Sequence, residues 1–69
     1  MNEEKLNISL RKFLKNVGIN SQRLIENKVR EAIESGKINS DQKIKITAKV
    51  YSNSIQLSEE ISGELDLEI

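Results

Sequence analysis

In the first half of the chain, apolar residues recur at the spacing of one helix face. Leu6, Leu10, Phe13, Leu14 and Val17 fall at i, i+4, i+7, i+8 and i+11, a single stripe on a 3.6-residue period. Glu3 and Glu4 open this segment and Lys12 and Lys15 stand near its end, the polarity that complements a helix dipole. Gly18 tolerates a left-handed backbone and so reads as the C-terminal cap of a first helix. Ile8 lies on the far side of that wheel. A second stripe follows in Leu24, Ile25, Val29, Ala32 and Ile33. Asn20 or Ser21 serves as its N-cap, because their side-chain oxygens accept from the free amides of a first turn. Gly36 marks its end, and Glu26 before Arg30 has the favourable acid-first i, i+4 order. The link Val17-Gly18-Ile19-Asn20 is short, so two such helices fold back on each other or cross sharply.

Beyond Gly36 the period changes to two. Ile44, Ile46, Ala48 and Val50 alternate with polar residues over 43–51, the pattern of a half-buried strand. Ser52-Asn53-Ser54 is a turn cluster. Ile55, Leu57, Ile61, Leu65, Leu67 and Ile69 then occupy odd positions of a second, longer strand. A two-residue turn sets Val50 opposite Ile55, Lys45 opposite Glu60 and Lys49 opposite Gln56, with no like charges facing. Glu59 falls in an inward slot and Gly63 leaves another empty, which leaves open a bulge near Glu59 or a bend at Gly63. The expected fold is α+β of order ααββ, a helix-turn-helix-like pair packed on a C-terminal antiparallel hairpin.

Size sharpens that expectation. The chain has 69 residues, 36% hydrophobic and 32% charged, and reads as a single domain over residues 1–69. Eleven basic residues balance eleven acidic ones, so the self-repulsion that accompanies disorder is missing despite a mean hydropathy of −0.51. A domain this small has a slim hydrophobic margin, which is commonly supplemented by disulfides, a metal or a partner chain. With no cysteine and no histidine, disulfides and nitrogen or sulfur metal sites are excluded, and a partner chain remains. Met1-Asn2-Glu3-Glu4-Lys5 leads into no apolar run, so neither a signal peptide nor a membrane span is expected and the chain reads as cytoplasmic. Asn7-Ile8-Ser9 matches a glycosylation acceptor, which has no role without secretion.

Three kinds of chemistry come into question. Catalysis has little to work with: no histidine or cysteine, no glycine-rich phosphate loop, and acid–base groups limited to carboxylates, lysines and Tyr51. Glu60, Glu64, Asp66 and Glu68 sit at the even positions of the second strand, where a row of carboxylates is a solvated face rather than converging ligands. The chain is therefore expected to be no enzyme and to hold no cofactor. Nucleic-acid binding is the alternative function. A helix-turn-helix followed by a hairpin resembles a winged helix, with Gln22, Arg23 and Arg30 on the reading helix and Lys43 and Lys45 on the wing. Against it, the pI is about 6.3, and Glu26, Glu31 and Glu34 share that helix. Residues 1–38 carry eight basic against five acidic side chains and residues 39–69 three against six, a modest +3 and −3. Self-association or protein binding is the favoured reading. Leu65, Leu67 and Ile69 extend the second strand beyond what 43–51 pairs, and Ile8 is uncovered on the first helix, so a second copy of the chain is the expected partner.

Several stretches also carry a family likeness. Met1-Asn2-Glu3-Glu4, Asn7 to Lys15, Val17-Gly18, Ser21-Gln22-Arg23, Ile25-Glu26, Val29-Arg30-Glu31-Ala32 and Ser35-Gly36-Lys37 resemble a small bacterial family of about seventy residues, an uncharacterised domain. In the strands the main match is Gly63-Glu64-Leu65. The resemblance implies no activity, substrate or cofactor, and it assigns no role to any residue here.

Overall fold

A computed structural model describes residues 1–68. It contains one helix, α1 (Glu3–Glu34), and two strands, β1 (Lys43–Ser52) and β2 (Leu57–Asp66). The chain divides into a helical unit, Met1–Lys37, and a hairpin unit that begins at Ile38.

The start of α1 follows from Asn2. Its backbone is extended (φ −101°, ψ 107°), and its Oδ1 accepts from the Lys5 amide at 3.1 Å, satisfying one of the orphan donors of the first turn. Glu3 and Glu4 complement the dipole there. The far end is a Schellman closure. Lys37 N–H donates to Ala32 O at 2.9 Å and Gly36 N–H to Ile33 O at 3.1 Å, with Gly36 in the left-handed region at φ +77°.

The expected pair of helices is a single helix of 32 residues, roughly 48 Å long at 1.5 Å per residue. Gly18 is an interior helical residue and caps nothing. An interior glycine costs only about 1 kcal/mol relative to alanine, whereas stopping and restarting forfeits hydrogen bonds and requires a second, unfavourable nucleus. The predicted caps are absorbed as well: Asn20 Nδ2 donates to Asn16 O at 2.9 Å, a bond made inside the helix. Lys12 and Lys15 stand mid-helix, away from either dipole end.

β1 and β2 pair antiparallel without a bulge, from Lys43 opposite Asp66 to Ser52 opposite Leu57. The two-residue turn expected from the sequence is a four-residue loop, Asn53 to Gln56. Gln56 N–H donates to Asn53 O at 3.3 Å, and Gln56 adopts φ +49°. A tight two-residue turn needs φ > 0 at both centres (type I′) or at the first (type II′), and Ser52 at the first centre supplies it poorly. The longer loop confines left-handed backbone to Gln56. The register therefore moves by four, an even number, and each side chain keeps its expected face. Ile44, Ile46 and Ala48 lie opposite Leu65, Gly63 and Ile61 on the apolar side, and Glu59 lies opposite Val50. On the other side Lys43, Lys45 and Lys49 face Asp66, Glu64 and Glu60, not the Glu60 and Gln56 expected for Lys45 and Lys49. Between them Thr47 Oγ1 and Ser62 Oγ share a hydrogen bond of 3.0 Å. Cross-strand pairs of these kinds contribute ~0.2–1 kcal/mol each, and together they select this alignment. Near the loop, Lys49 Nζ lies 5.9 Å from the centroid of the Tyr51 ring, and the Tyr51 hydroxyl donates to Asn53 Oδ1.

Candidate functional site

No described residue is buried, so every group that does chemistry or recognition lies at the surface. Among the described residues no three histidine, cysteine or carboxylate side chains gather as a metal site, and no helix is long and apolar enough to cross a membrane. The concavity lined by Lys45, Ser62, Gly63 and Glu64 is open to solvent.

The residues expected to read nucleic acid are not brought together as a reading head. The turn that a winged helix needs is continuous helix. Gln22 Nε2 donates to Glu26 Oε1 at 2.8 Å and Arg30 to Asn27 Oδ1 at 3.4 Å, so both side chains are engaged along α1. Arg23 is exposed on the same helix. Lys43 and Lys45 each stand opposite a carboxylate, which offsets the positive charge expected of a wing. The expected Glu26–Arg30 contact gives way to these neighbours, and the ion pair formed on α1 is Lys28–Glu31 at 3.6 Å, fully on the surface.

The residues expected to drive self-association are rearranged too. Leu65 does not overhang, because the register places it opposite Ile44, and it is half-buried. Leu67 lies just past β2 and is also half-buried. Ile69 falls outside the described residues. Ile8 is exposed on α1, as expected.

The larger apolar surface is one that the hydrophobic pattern assigns to the core. Leu6, Leu10, Phe13, Val17 and Leu24 remain 39 to 68% exposed. On a continuous helix they belong to one row, Leu6-Leu10-Phe13-Val17-Asn20-Leu24, spaced 4-3-4-3-4, which is the heptad spacing of helices that pair side by side. Leu14 flanks the row and is exposed as well. Ile25, Val29 and Ala32, all less exposed, form a second stripe roughly 100° further round a helix of 3.6 residues per turn. The signal is present in the sequence. Reading Gly18 as a stop cuts the row between Val17 and Asn20 and assigns its two parts to separate helices.

The row's electrostatics are bland. Its flanks are Asn7, Ser9, Leu14, Asn16, Ser21 and Arg23, and Arg23 is the one charge among them. Asn20 is the one polar member.

No curated protein and no solved structure matches this chain. The residues that carried the family likeness are spread along α1 and β2, and the match they belong to takes in the strands as well as the helix. It extends over residues 1–68, and the chain is a member of a family of unknown function, DUF6494.

Proposed function

We propose that the chain is a non-enzymatic self-association module whose exposed apolar row on α1 is covered by a second copy. The observation that carries this reading is the exposure of Leu6, Leu10, Phe13, Val17 and Leu24 along one line of a helix that has no other element in its own unit. A lone helix is marginal in water, and a two-stranded hairpin is no better, so neither unit supplies a core by itself.

A second copy suits the charge pattern. The net charge is zero, and the flanks of the row carry a single charge, Arg23, so two copies approach with little like-charge repulsion.

Light scattering over a concentration series tests this. The expected mass is about twice 7.9 kDa, with a melting temperature that rises with protein concentration. Leu10→Lys and Phe13→Lys are expected to halve the mass. Ile61→Lys, at an exposed position on the hairpin, is expected to leave it unchanged. A wild-type monomer at every concentration overturns the proposal.

A further inference from the structure

We draw no further inference here: the strongest candidate, the apolar face of the hairpin around Ile46, Ala48, Val50 and Ile61, is left without a partner in its own unit, and nothing in the structure shows what covers it.

Discussion

The continuity of α1 through Gly18 makes one substitution unusually informative. Gly18 lies inside the helix, and a Cβ built on it meets nothing within 4 Å. Changing it to alanine therefore alters neither packing nor backbone geometry and leaves only the intrinsic helix preference, ~0.8–1 kcal/mol in favour of alanine. For a domain of this size that corresponds to about 4–8 °C in melting temperature. Had Gly18 been the left-handed cap of a first helix, the same change would cost about 1–2 kcal/mol and lower the melting temperature. Gly36 provides the internal contrast. A Cβ there also meets nothing within 4 Å, but the residue sits at φ +77° and holds the Schellman closure, so Gly36→Ala is expected to destabilise by about 1 kcal/mol. Thermal melts followed by circular dichroism at 222 nm, at one fixed protein concentration, read both variants. One concentration is needed because association itself shifts the midpoint. Opposite signs at the two glycines are expected. A loss of stability or of helical signal in Gly18→Ala would refute the single-helix reasoning and, with it, the row that runs across residue 18.

Other substitutions probe the ends and the hairpin. Asn2→Ala removes the side-chain acceptor for the Lys5 amide and is expected to cost about 1 kcal/mol in denaturant titrations. Gln56→Gly relieves a non-glycine residue held at φ +49° and is expected to stabilise by up to about 1 kcal/mol; a loss would show that the Gln56 side-chain bond to Asn53 O outweighs the backbone preference. Lys45→Glu sets two carboxylates face to face across the strands and is expected to lower stability by roughly 0.5–1 kcal/mol. Adding Glu64→Lys is expected to restore most of it, and a double variant no better than the single would argue against this register.

What the sequence revealed, and what it hid, has a common cause. Features governed by a single strong local preference read through: the glutamates at the helix start, Gly36 at its end, and the alternation in Lys43 to Tyr51 that fixes the inward face. Features decided between opposing preferences of similar size did not. At residue 18 a glycine penalty of about 1 kcal/mol competes with the continuity of a helix, and continuity prevails because the chain on both sides favours it. At the hairpin tip, a two-residue turn and a four-residue loop differ by an even shift, so the hydrophobic pattern is satisfied by either. The charges on the opposite face break that tie. The exposed surface is hidden for the same reason as the helix: once the row is cut at Gly18, each fragment resembles the inner face of a short helix, and Leu65 and Leu67 stand out instead.

The hairpin's charge arrangement has a consequence for polymerisation. On the wet face the charged residues of β1 are all cations and those of β2 all anions, and each strand has one edge without a neighbour in the two-stranded sheet. Joining two copies edge to edge by a two-fold axis, β1 to β1 about Thr47, would set Lys45 against Lys49. The β2 counterpart about Ser62 would set Glu60 against Glu64. Both closed arrangements are repulsive. The attractive combination is β1 on β2 of the next copy, a head-to-tail contact that extends into a ribbon unless its rotation closes a ring. Salt concentration should therefore act in opposite directions on the two kinds of sheet contact, screening the repulsion that blocks closed pairs and the attraction that feeds ribbons. Low ionic strength is therefore expected to favour such head-to-tail contacts over closed pairs.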